Sequence, residues 1–189
     1  MRNRLDLSQF PRLFTEVYQD EKMVIVNKAP GVNCQDLDKG KRTHREIDQR
    51  GLFRILKSLD PEMRNIHRLD KWVSGGIVVA RDKITLQRFS RYLQTGGGHG
   101  YGFKRRYVAI VEKGEFPAPS PNLEYLGHDK RVGLIRTDSE VGECVTRFIR
   151  LENSGPFQLV VLQLDTGRKH QIRRHLSEVL LKPILNDEK

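Results

Sequence analysis

The spacing of apolar and polar positions changes period several times along the chain. Val24, Ile25 and Val26 form a short apolar run between Asp20-Glu21 and Ala29-Pro30-Gly31, which predicts a strand over residues 23–27. Leu52, Ile55, Leu56 and Leu59 recur at i, i+3, i+4 and i+7, the pattern of an amphipathic helix, and Asp60-Pro61 ends it. GGIVVA at 75–80 reads as a second strand. Over residues 83–94, Leu86, Phe89 and Leu93 share a stripe that leaves Arg88 and Arg91 outside it, so a helix follows. YVAIVE at 107–112 predicts a third strand. Residues 144–151 alternate, with Val145, Arg147, Ile149 and Leu151 to one side, and residues 157–164 form another strand. Ile172, Leu176, Val179 and Leu180 make a last helical stripe, in a helix expected to open after Thr166-Gly167. Strands outnumber helices and the two do not alternate strictly. The pattern therefore predicts an α+β fold with a mixed, mainly antiparallel β-sheet and flanking helices.

Three stretches read as loops: the basic run at 39–45, the glycine-rich run at 96–102, and FPAPSPN at 116–122, whose three prolines exclude regular structure. None carries the composition shift of a domain boundary. A chain of 189 residues fits one domain, or one with a small appendage. The expected division is an N-terminal segment, 1–16, and a catalytic domain, 17–189.

Composition narrows the function. The chain holds 34 Lys and Arg against 24 Asp and Glu, a net charge of +10, with an isoelectric point near 9.8. Such an excess suits either a nucleic-acid partner or a generally basic surface. No run of 18 apolar residues exists, so no membrane-spanning helix is expected. Residues 1–11 hold Arg2, Arg4 and Asp6 and lack the apolar region of a secretory signal. Cys34 and Cys144 are the only cysteines, too few for a disulfide framework or a structural zinc site.

Four stretches carry candidate chemistry. In NIHRLDKWVSGG (65–76), Asp70 is the one carboxylate among Arg64, Arg68 and Lys71, ahead of a Ser-Gly-Gly turn. Cationic neighbours keep such a carboxylate ionised, ready as a nucleophile or base; the plainer alternative is a turn cap paired with Arg68. In TGRKHQIRRH (166–175), Arg168, Lys169, His170, Arg173 and Arg174 crowd one turn and a half. A basic helix start binds anions, and the alternative is a solvated basic face. Arg173 falls at the border of the apolar stripe, where a side chain can run along the core edge. His170 and His175 lie five apart, on different helix faces, which disfavours a metal pair. In FKRRYVAIVE (103–112), Tyr107 follows three basic residues, a pairing suited to base stacking or simply to a strand-end tyrosine. In VIVNKAPG (24–31), Lys28 leaves a strand into a Pro-Gly turn.

Taken in this order, the stretches resemble the RluA family of RNA pseudouridine synthases. The family's VVNKPAG-like, HRLDxxTSG, KxYxAxV, TGRxHQIRxH and PILGDxxYG elements read here VIVNKAPG (24–31), HRLDKWVSGG (67–76), KRRYVAIV (104–111), TGRKHQIRRH (166–175) and PILNDEK (183–189). The resemblance implies the pseudouridine synthase catalytic fold and isomerisation of uridine in RNA, ribosomal RNA first and transfer RNA second. It implies Asp70 as the catalytic aspartate acting at C1′, Tyr107 as the tyrosine that contacts the target base, and Arg173 as the arginine that pairs with the aspartate. His67, Arg68, Arg168, His170 and Lys28 are expected at the substrate. No metal or cofactor is expected, and the partner is RNA, bound by a monomer in the cytoplasm or mitochondria. The chain departs from the family at Ala29-Pro30 (inverted), at Val73 in place of threonine and at Asn186 in place of glycine. Lys189 falls inside the last element, so a C-terminally shortened chain is expected. The rival readings are an inactive RNA-binding relative, a glycoside hydrolase and a ribosome-like basic protein. A hydrolase needs two carboxylates across a pocket, and the first four of these elements hold no acid besides Asp70.

Overall fold

The structure is a computed structural model that describes residues 3–36, 51–94 and 100–187. The basic run 39–45 and most of the glycine-rich run 96–102 lie outside the described residues. The chain divides into two compact units, Met1–Gly102 and Phe103–Lys189.

The first unit is a four-stranded sheet with two helices. Its strands are β1 (Phe14–Gln19), β2 (Met23–Lys28), β3 (Arg64–Asn65) and β4 (Gly75–Ala80), in the order β1-β2-β4-β3, each pair antiparallel. Val24 and Val26 of the central β2 and Ile77, Val79 and Ala80 of β4 are fully buried. That burial explains why both strands read as apolar runs rather than alternations. β1 escapes the periodicity because Phe14 is its one buried residue and its register shifts between Glu16 and Tyr18. It also begins inside the expected N-terminal segment. Helix α1 (Leu52–Leu59) turns Leu52, Phe53, Ile55 and Leu56 inward, and the Asp60 N–H donating to Leu56 O closes it. Helix α2 (Lys83–Gln94) starts at Asp82, whose carboxylate accepts from the Thr85 N–H at 2.7 Å and the Thr85 hydroxyl at 2.9 Å. The buried Arg81 pairs with Asp60 at 3.3 Å and donates to the carbonyls of Asp20 and Asn3, tying the chain start to β4.

The second unit is a five-stranded antiparallel sheet. Its strands are β5 (Arg105–Glu112), β6 (Leu123–Tyr125), β7 (Val132–Thr137), β8 (Cys144–Ser154) and β9 (Phe157–Leu164), ordered β5-β9-β8-β7-β6. β8 and β9 form a hairpin, and β9 carries β5 on its other edge, pairing Tyr107 with Leu162. One face is a core of Ala109, Val111, Leu123, Ile135, Phe148, Val160 and Leu162, closed by Leu176 and Leu180. On β8 Cys144, Val145, Thr146 and Phe148 are buried. Of the expected face Val145, Arg147, Ile149 and Leu151, only Val145 is buried and the other three are exposed, with Val108, Ile110, Phe157 and Leu159 also exposed.

The last helix departs from expectation in two ways. It opens at Gln171, not after Gly167: α3 covers Gln171–Arg174 and His170 adopts φ +55° before it. It then widens into a π-helical turn over His175–Val179, with the Leu180 N–H donating to His175 O. Residues five apart sit about 140° from each other on an α-helix. The wider turn brings them closer, so His175 and Leu180 are both buried.

Candidate active site

In the first unit, Asp70 lies in a turn closed by the Val73 N–H donating to its carbonyl at 3.2 Å. The segment around it is held by buried side chains from the end of β2 and the stretch after it. The Lys28 ammonium donates to three carbonyls, Ala29 at 3.0 Å, Val32 at 2.9 Å and Lys71 at 2.9 Å. An ammonium has three protons, so all three are used. Burial pulls the Lys28 pKa below its ordinary value, while Cys34 and Asp70 act the other way. The Gly31 N–H also donates to the Lys71 carbonyl at 2.9 Å. On the other side of Asp70, Cys34 Sγ donates to the Leu69 carbonyl at 3.2 Å and accepts from the Leu69 N–H at 3.4 Å. Burial raises the Cys34 pKa, so the thiol stays protonated and can donate. Both backbone neighbours of Asp70 are thus fixed.

Lys28 was expected at the substrate. Its side chain is fully buried and saturated, and the geometry assigns it to holding the Asp70 turn instead. His67 likewise faces the fold: its Nε2 accepts from the Val78 N–H of β4 at 3.0 Å. Arg68 is exposed and donates to Gln35 Oε1 at 2.6 Å, so its guanidinium lies at the surface beside the turn.

In the second unit, Tyr107 on β5 is partly buried against the core. Arg105, two residues earlier on the same strand face, is a partly buried guanidinium. Burial lowers its pKa, and the nearby Tyr107 and Asp165 oppose the shift. The Arg105 guanidinium packs against the Gly167 backbone, in the space that a Cβ there would enter. Arg173 is 19% exposed and its Nε donates to Asp187 Oδ2 at 2.6 Å.

The TGRKHQIRRH stretch divides into two roles. Thr166, Gln171 and His175 build a polar network with β7 and β8. Gln171 Oε1 accepts from the Thr166 hydroxyl at 2.9 Å and the Arg168 N–H at 3.0 Å. Its Nε2 donates to Val145 O and Thr146 Oγ1. The amides expected to receive an anion are therefore partly spent inside the loop. Arg168 is exposed and donates to the Val141 carbonyl at 2.9 Å, and His170 is partly exposed at its left-handed corner.

Pattern reading missed Cys34, Arg105 and Asp187 as supporting residues. Asp187 and Arg105 stand inside the PILNDEK and KRRYVAIV elements, but Cys34 is 35 residues from Leu69 and gives no local signal.

The family model of RNA pseudouridylate synthase matches residues 22–178, a span that holds Asp70, Tyr107 and Arg173. A 21S rRNA pseudouridine(2819) synthase of Saccharomyces cerevisiae is 40% identical over 182 residues, 92% of this chain and 68% of that protein. RNA pseudouridine synthase 4, mitochondrial, of Arabidopsis thaliana is 30% identical over 193 residues, 92% of this chain and 40% of that protein. The chain spans 61% and 58% of the length of two further curated relatives. The solved structure of human RNA Pseudouridylate Synthase Domain Containing 4 superimposes with a TM-score of 0.61 at 24% identity, over 95% of this chain and 69% of that one, and so shares the fold. With the family match running over most of its length, and a relative at 40% identity, this chain belongs to the RNA pseudouridylate synthase family.

Proposed function

We propose that this chain isomerises uridine to pseudouridine in a ribosomal RNA of mitochondria. The carrying observation is the family match over residues 22–178, which encloses an Asp70 turn braced on both sides by Lys28 and Cys34. The 40% identity to a 21S rRNA synthase and the mitochondrial plant relative support the substrate class and the compartment.

In this reaction the N1–C1′ bond breaks, the base turns, and C5 bonds to C1′. The C5 hydrogen leaves to solvent and N1 gains a proton, so nothing is oxidised. Asp70 supplies the carboxylate at C1′, Tyr107 meets the base, and Arg173 acts in support. Arg68, Arg168 and His170 offer exposed or partly exposed contacts for RNA phosphates. The target base leaves its stack at a cost of a few kcal/mol.

Because the C5 hydrogen is lost, tritium release from 5-³H-uridine RNA reads the reaction directly. Ribosomal and transfer RNA are compared, with wild type and Asp70→Ala. Release from ribosomal RNA that disappears in the variant, with RNA affinity retained, is expected. RNA binding without release from the wild type would instead identify an inactive RNA-binding relative.

A further inference from the structure

We propose that Trp72 is a stacking platform for an unpaired RNA base beside the target nucleotide, an inference that rests on the RNA-modifying reading above. Trp72 is the single tryptophan of the chain, and it is 68% exposed. An indole left this open costs apolar burial that a covered position would recover. It follows Asp70 by two residues within the turn that the Val73 N–H closes, so both residues belong to one short, backbone-bonded segment.

The ring is supported from behind. Gly31 adopts φ +81°, and a Cβ there would lie 3.2 Å from a ring carbon of Trp72. The missing side chain lets the ring rest on the turn, whose path is set by Lys28 and Gly31 bonding to the Lys71 carbonyl. Its orientation therefore does not have to be fixed when a ligand arrives, which lowers the ordering cost of binding.

The surroundings select the ligand. The Lys71 ammonium lies 4.8 Å from the ring centroid, and Lys71 and the nearby Arg68 are both exposed. A largely exposed aromatic ring with a lysine ammonium at it is the chemistry that stacks a base and holds its phosphates. The net charge of +10 favours a polyanion in the same way. Stacking needs a free base face, so the occupant is an unpaired nucleotide and not a duplex.

Trp72 is the sole tryptophan, so tryptophan emission reports this position alone. The full chain is titrated with a short single-stranded RNA of mixed sequence, and separately with the duplex formed by its complement. Binding is followed independently by anisotropy of the labelled RNA. The single strand should quench the emission more than the duplex does. Trp72→Leu should weaken single-strand binding by about 5- to 150-fold, the worth of one base stacked on an aromatic ring, and Trp72→Phe should restore part of it. In tritium release, Trp72→Leu should raise KM and leave kcat in place. Unchanged emission at saturating RNA, or Trp72→Leu binding like wild type, overturns the platform while leaving the proposed reaction standing. A wild type that neither binds RNA nor releases tritium overturns both.

Discussion

Acidification should destabilise the second unit through one side chain, His175. Its ring is 2% exposed, with Nδ1 2.8 Å from Thr146 Oγ1 and Nε2 2.8 Å from Thr137 Oγ1. A neutral imidazole donates from one nitrogen and accepts at the other. Protonation makes both nitrogens donors, so one threonine hydroxyl must turn away. Burial is the main force against the imidazolium, Arg174 adds to it and Glu178 opposes it. The pKa is held down to about 4, against an ordinary 6.5. Between those values the unfolded chain binds a proton that the native chain does not. The contribution is complete above pH 6.5 and is lost as pH falls through about 4. At about 1.36 kcal/mol per pH unit, the loss amounts to about 3 kcal/mol. Urea denaturation across this range, on wild type and His175→Gln, isolates the effect. Glutamine keeps a donor and an acceptor but does not titrate, while every other group titrates in both chains. The wild-type advantage should shrink by about 3 kcal/mol on acidification. Parallel stability curves would refute the buried neutral imidazole.

Two further outcomes test the scaffold. Lys28→Met leaves the Ala29 and Val32 carbonyls without their ammonium donor, while Lys71 O keeps the Gly31 N–H. The expected cost is about 2–4 kcal/mol, with a fall in turnover because the Asp70 turn loosens. An unchanged urea midpoint would show that the carbonyls find other donors. Gly133→Ala puts a Cβ into the Phe148 ring and 2.8 Å from the Glu124 carbonyl oxygen. Overpacking there should cost about 1–3 kcal/mol, and a Tm equal to wild type would mean that β7 shifts freely.

Local pattern carried much of the fold. The bounds of β4, α1, α2 and β9 match the spacing read from the chain, because each element turns apolar residues into the core of its own unit. The chemistry-bearing stretches were legible for another reason. Asp70, Tyr107 and Arg173 sit in short, ordered motifs whose residue types are rare in combination. β1 was illegible because a strand with one buried residue leaves no alternation.

The sequence by itself determined the α+β class, the positive charge, most element bounds and the motif residues, since periodicity, charge and residue order are local properties of the chain. Only the tertiary structure decided what those residues touch. Lys28 reads locally as a lysine leaving a strand into a Pro-Gly turn, yet Lys71, 43 residues on, supplies one of the carbonyls it needs. Val145, Arg147, Ile149 and Leu151 alternate along β8, yet packing puts Thr146 and Phe148 inside and leaves Arg147, Ile149 and Leu151 exposed, with Val145 alone of the set buried. Gln171 and His175 became network residues because β7 and β8 present threonines to them. Burial, saturation of hydrogen bonds and pKa depend on atoms brought together from distant positions, and no local period encodes them.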